Sequence, residues 1–185
     1  MRLMSSKLIR FLSPVARKSK LRDAEDGLAA VEFAFVAAPL MFLIFGIIEV
    51  MTVFFASTVL DSAVINASRQ IRTGQAATAN MSQAQFKTSV CNQLFALLDC
   101  SKVFIDVTSY PGFIGITPSN PVASGTLAAG NMAYQASGPG DTVLVRAYYA
   151  WPLITPGITN MLSNFGSNQR LLVGAIAFRN EPWGT

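Results

Sequence analysis

The sequence predicts an α+β protein in which a single-pass N-terminal membrane helix extends into a small outward domain with a short antiparallel sheet. Three observations carry this expectation. A charged leader precedes one long apolar run, a stretch with helical spacing continues that run, and three strand-like segments fill the second half of the chain.

The leader comes first. Seven of the fourteen basic residues (Arg2, Lys7, Arg10, Arg17, Lys18, Lys20 and Arg22) precede Gly27, against the acids Asp23, Glu25 and Asp26. The whole net charge of +4 therefore sits in the leader, because residues 28–185 balance at seven positive and seven negative side chains. No basic face is left to track a phosphate backbone, so nucleic acid is not an expected partner. A chain that is 51% hydrophobic and only 13% charged is also too apolar to be disordered.

From Phe33 to Ile48 the chain runs sixteen residues without a charge. As a helix this spans roughly 24 Å, and continuing to Val53 completes the ~30 Å of bilayer hydrocarbon. A buried core helix would show a polar stripe, and this run has none. Lys and Arg stay on the cytoplasmic side, so the cationic leader sends the C-terminal part outward. A cleaved secretory signal fits less well: the leader is long, the apolar stretch exceeds a usual signal core, and no small-x-small site follows before DSAVINASRQIRTG. Pro39 lies inside the span and lacks the N–H that would bond the Phe35 carbonyl, which predicts a kink or local loosening.

Beyond the span, Val53, Ala56, Leu60, Val64, Ala67 and Ile71 recur at helical spacing, with Arg69 and Arg72 in the last turns and Gly74 as the stop. A shorter helix is expected from Ser82, its N-cap, to Leu98, with Phe86, Val90, Leu94 and Leu97 on one face. KVFIDVTSY, TVLVRAYYAW and RLLVGAIAF then read as strands of a small antiparallel sheet packed against the emergent helix. Residues 111–140 carry no charge and are rich in Gly, Pro, Ser and Ala, which reads as a mobile surface loop acting either as a spacer or as a subunit contact.

Little in the chain points to catalysis. It has no histidine, which removes imidazole triads, proton shuttles and His-containing metal sites. Two cysteines are too few for a thiolate cage, and Asp99, Asp106 and Asp141 are too scattered to propose as an acid/base pair. PGFIG and SGPGD lack the lysine and the strand-to-helix context of a phosphate cradle. The chain therefore reads as a non-enzyme without cofactor or metal. Cys91 and Cys100 lie nine positions apart, unlike a redox C-x-x-C pair; an oxidising outer compartment and even parity favour a disulfide worth roughly 2–3 kcal/mol, the alternative being two buried thiols.

Most of the functional information lies in DGLAAVEFAFVAAPLMFLIFGIIEV, an apolar stretch that holds Glu32 near one end and Glu49 near the other. A carboxylate in hydrocarbon is costly and needs a reason. Leader, Gly27, Glu32, Phe33 and span occur in the order of a type IV prepilin processing site, and the aromatic after the glutamate resembles the Flp, or type IVb, branch. The resemblance implies a cut between Gly27 and Leu28 by a membrane prepilin peptidase. A glycine before the scissile bond lets the backbone lie extended in a cleft. Cutting frees an α-amine on Leu28, one helical turn from Glu32, which can then pair with its own or a neighbouring subunit's amine and so set register. Glu49 is expected near the outward headgroups, as an interfacial anchor or as a contact between helices.

Together with SRQIRTGQ, the paired cysteines and the closing AFRNEPW, this segment is similar to TadE-like minor pilins, or pseudopilins, of the Tad (tight-adherence) pilus system, with coverage from Gly27 onward. The resemblance implies a pilin-like fold. It also implies a division into a cytoplasmic leader (1–27), a transmembrane pilin helix (28–74) and a periplasmic α+β domain (75–185). The expected setting is the bacterial inner membrane, with the C-terminal domain periplasmic and the possibility of incorporation in the pilus. Expected partners are the prepilin peptidase, other pilins or pseudopilins, the Tad inner-membrane assembly platform and the lipid bilayer; the expected function is pilus assembly, adherence and secretion. The rival reading is an uncleaved, membrane-anchored periplasmic binding or adhesion module.

Overall fold

The computed structural model describes residues 17–166 and 168–184, with side-chain environments from Gly27 onward. The chain has the α+β, pilin-like arrangement expected: a long apolar N-terminal helix followed by a small domain with a three-stranded antiparallel sheet. The elements in chain order are α1 (Arg17–Arg72), α2 (Gln75–Thr78), α3 (Gln83–Cys91), β1 (Phe104–Tyr110), β2 (Val122–Ala123), β3 (Thr126–Leu127), β4 (Thr142–Pro152), α4 (Thr159–Leu162) and β5 (Gln169–Arg179). Contacts divide the chain inside α1, one compact unit ending at Ile44 and the other running from Phe45 to Thr185.

In the second unit the sheet order is β1-β4-β5, both pairings antiparallel. Opposed residues share a face, so Ile105, Val107, Val143, Val145, Ala147, Tyr149, Leu172 and Phe178 form one apolar surface. The outer part of α1 packs into the same core, and all six of its predicted stripe residues, Val53, Ala56, Leu60, Val64, Ala67 and Ile71, are buried. Each large side chain here contributes roughly 1.5–3 kcal/mol by leaving water. Gly174 allows the approach: a Cβ at that position would stand 3.1 Å from both the Asp61 Cα and the Leu60 carbonyl oxygen of α1.

The end of α1 is clasped by the end of the chain. Gly74 takes φ +78°, the left-handed conformation of a helix stop, and the Trp183 ring occupies the space where a Cβ would project. Glu181 donates its N–H to the Arg72 carbonyl at 3.0 Å, and its carboxylate meets the Arg72 guanidinium at 3.1 Å on the surface. SRQIRTGQ and AFRNEPW, remote in sequence, thus form one contact. Gly74→Ala is expected to cost about 1–2 kcal/mol from the backbone conformation alone, with more from displacing Trp183, read as a lower midpoint in urea unfolding followed by circular dichroism.

Ser82 caps α3 as expected, through a capping box in which Gln85 donates its N–H to Ser82 Oγ and Gln85 Oε1 accepts the Ser82 N–H. The helix stops at Cys91, well short of the expected Leu98. A helix continued to Cys100 would separate the two cysteine Cα atoms by roughly 13 Å, whereas they lie 5.7 Å apart and their sulfurs are at bonding distance. The chain doubles back instead, with Phe95 and Ala96 in left-handed conformations. Phe86, Val90 and Leu94 are buried from the predicted face, but the last core position is Leu98, with Leu97 only partly buried.

The uncharged stretch 111–140 is tied down at several points rather than being a bare loop. Val107 donates its N–H to the Ala133 carbonyl and accepts from Gln135, so residues 133–135 run alongside β1, and β2 and β3 form a small hairpin.

Candidate functional site in the N-terminal helix

Gly27, Leu28, Glu32 and Phe33 all lie in one uninterrupted helical stretch, since α1 begins at Arg17 and continues through Pro39. Leu28 and Glu32 are four residues apart, which places them on the same helical face. Gly27 is the weakest helix former between Gly27 and Phe33, because glycine is about 1 kcal/mol less favourable than alanine in a helix interior. A Cβ there would meet nothing within 4 Å. Leu28 is 62% exposed, Phe33 74% and Phe35 79%, and nearly every side chain of 28–44 is exposed. Among the described residues Glu32 joins no ion pair.

This apolar, uncovered surface runs right round the helix, which is what lipid tails cover and water does not. Among the described residues one helix is long and apolar enough to cross a membrane, and it is this one. The TadE-like protein family profile matches residues 27–69, from the glycine to the last turn of α1. This segment is a TadE-like domain. No curated protein and no solved structure matches the chain significantly. A TadE-like domain implies a part in Tad pilus biogenesis, a generally non-enzymatic one, with Tad pilus machinery as the class of partner. The apolar helix of the TadE-like domain suits a membrane anchor or a signal.

Two side chains outside the predicted set organise the second unit. Glu49 is buried, and its carboxylate accepts the backbone N–H of Ile154 and, at 3.0 Å, that of Thr155. Its carboxylate is taken up by a contact within its own chain rather than by a neighbouring helix. No sequence signal marks this, because its partners are backbone groups 105 and 106 residues away.

Asp106, set aside in the sequence as one of three scattered acids, is fully buried opposite Arg146 in the β1–β4 register. Arg146 donates from Nη2 at 2.5 Å and Nε at 3.0 Å to Asp106 Oδ2, while Oδ1 accepts the Ala133 N–H at 2.8 Å. Arg146 also donates to the Ser119 carbonyl and hydroxyl oxygens, and its guanidinium lies 5.6 Å from the Tyr148 ring centroid. Burial pushes the Tyr148 hydroxyl up to about 12, with the Arg146 charge pulling the other way. The phenol stays protonated at neutral pH and the carboxylate is bonded on both oxygens, so this cluster pins the 111–140 stretch to the sheet.

Proposed function

We propose that the chain is a minor pilin, or pseudopilin, of the Tad (Flp, type IVb) pilus, cut between Gly27 and Leu28 by a prepilin peptidase and acting in pilus assembly, adherence and secretion. The observation that carries this reading is the TadE-like helix itself: glycine, glutamate and aromatic lie in sequence at the head of an apolar surface that stays uncovered from Leu28 to Ile44. The leader remains cytoplasmic, α1 crosses the inner membrane, and the domain with the sheet is periplasmic. There the Cys91–Cys100 pair is oxidised and closes a short loop.

Processing requires the helix to open at Gly27, where opening is cheapest. The amine released on Leu28 then carries a positive charge at the helix N-terminus. Glu32 neutralises it, on its own chain or on a neighbour, and so fixes the register in which apolar helices of partner pilins and of the assembly platform pack. Without that partner a carboxylate in lipid costs several kcal/mol.

Glu32→Gln is expected to insert and be processed like the wild type yet to lose pilus assembly, measured as pilin in the sheared surface fraction against protein in the membrane fraction. Wild-type pilus yield from Glu32→Gln would remove the register role and favour the rival, an uncleaved anchor carrying a periplasmic binding module.

A further inference from the structure

We propose that the first part of the β4–β5 connection, Leu153–Leu162, is a second membrane element that dips into the acyl chains of the outer leaflet beside α1. The inference rests on the reading that α1 crosses the membrane. Gly46 is the fourteenth residue of the sixteen-residue uncharged run. It is buried, and Ile158 of the connection packs onto it, in the space a Cβ would need. One turn on, Glu49 holds Ile154 and Thr155. Whatever depth this part of α1 has in the bilayer, the connection shares it.

Composition and exposure agree with hydrocarbon as the surroundings. No charged residue occurs between Arg146 and Arg170. Ile154 and Met161 are each 84% exposed, and on the adjoining helix Phe45, Ile48, Met51 and Phe54 are exposed too. With Ile44, Ile47, Val50 and Phe55, which are exposed as well, the helix side chains cover more than half of its circumference, the whole side turned away from the connection; a lipid surround covers so wide an arc more readily than a single protein partner does. An apolar recess of about 360 Å³ between Ile48 and Trp151 opens at the same level and is large enough for part of an acyl chain.

Irregular backbone enters hydrocarbon only when its polar groups are satisfied internally. Here six of the nine N–H groups between Leu153 and Leu162 are, those of Gly157, Ile158 and Asn160 having no acceptor among the described residues. Pro152 and Pro156 have no N–H, and Leu153 donates to the Asn168 carbonyl. The N–H groups of Ile154 and Thr155 go to Glu49, and those of Thr159, Met161 and Leu162 go to carbonyls of the connection itself. Arg170 reaches back to the Leu162 carbonyl at 2.9 Å. This gives Glu49 its reason: a carboxylate acceptor inside an apolar run makes the neighbouring backbone compatible with lipid.

The test uses the full chain in liposomes, with single cysteines at Ile154, Met161, Phe35 or Ala136 carrying an environment-sensitive fluorophore; the chain bearing only Cys91 and Cys100 is the labelling blank. Positions 154 and 161 are exposed, so substitution leaves the fold intact, checked by circular dichroism. Labels at 154, 161 and 35 are expected to lose most of their emission to lipids with a nitroxide on the acyl chain and to be shielded from iodide, while 136 behaves oppositely. If 154 and 161 follow 136 while 35 is quenched by lipid, the connection lies in water and the inference fails with the membrane span intact. If 35 is open to iodide as well, both fail. Shielding of 154 and 161 from both quenchers would mean a protein partner covers them, which also overturns the inference.

Discussion

Arg146→Met is expected to destabilise the sheet domain by about 3–5 kcal/mol, because it leaves the Asp106 carboxylate buried without its counter-charge. The loss goes beyond one contact. Arg146 also holds the Ser119 carbonyl and hydroxyl, so the 111–140 stretch loses its attachment to β4 along with the ion pair. Urea unfolding of the full chain in detergent, followed by the fluorescence of Trp151 and Trp183, reads the change, since both tryptophans lie in this domain. The double variant Asp106→Leu/Arg146→Met is expected to recover much of the loss, because a well-packed apolar pair can replace a buried ion pair at little cost. Recovery stays incomplete, since the Ala133 N–H then has no carboxylate to receive it. A single variant within about 1 kcal/mol of wild type would show that the pair contributes little.

Gly27→Leu is expected to abolish processing without harming the fold. A Cβ at position 27 meets nothing within 4 Å, so the larger side chain fits the helix, and leucine favours helix more than glycine does. The same change works twice against cleavage: it obstructs a cleft that needs a bare backbone, and it strengthens the helix that must open. Immunoblots of membranes containing the cognate peptidase should show only the unprocessed chain, inserted in normal amount. Cleavage of Gly27→Leu at the wild-type rate would mean that Gly27 does not define the site.

Much of this fold was legible because it follows short periodicities. The buried stripe of α1 repeats every three or four residues, and β1, β4 and β5 emerge from alternation or continuous apolar runs. What stayed hidden depends on pairings between remote positions. Asp106 and Arg146 are 40 residues apart and become partners only once the β1–β4 register is known. Helical spacing alone carried α3 to Leu98, but the approach of Cys91 to Cys100 is incompatible with a straight helix there. Glu49 was the hardest to read, since a carboxylate that serves backbone N–H groups leaves no complementary side chain to find.

At the N-terminal site the types and order of residues were legible, and the coincidence of Gly27, Leu28, Glu32 and Phe33 in one helical stretch adds a mechanical step: a peptidase must unwind what it cuts. The most direct measurement is therefore the N-terminus and intact mass of the chain isolated from cells with an active prepilin peptidase. The expected result is a mature protein that begins at Leu28 and lacks residues 1–27. A chain that keeps its leader under those conditions, or begins anywhere else, would contradict it.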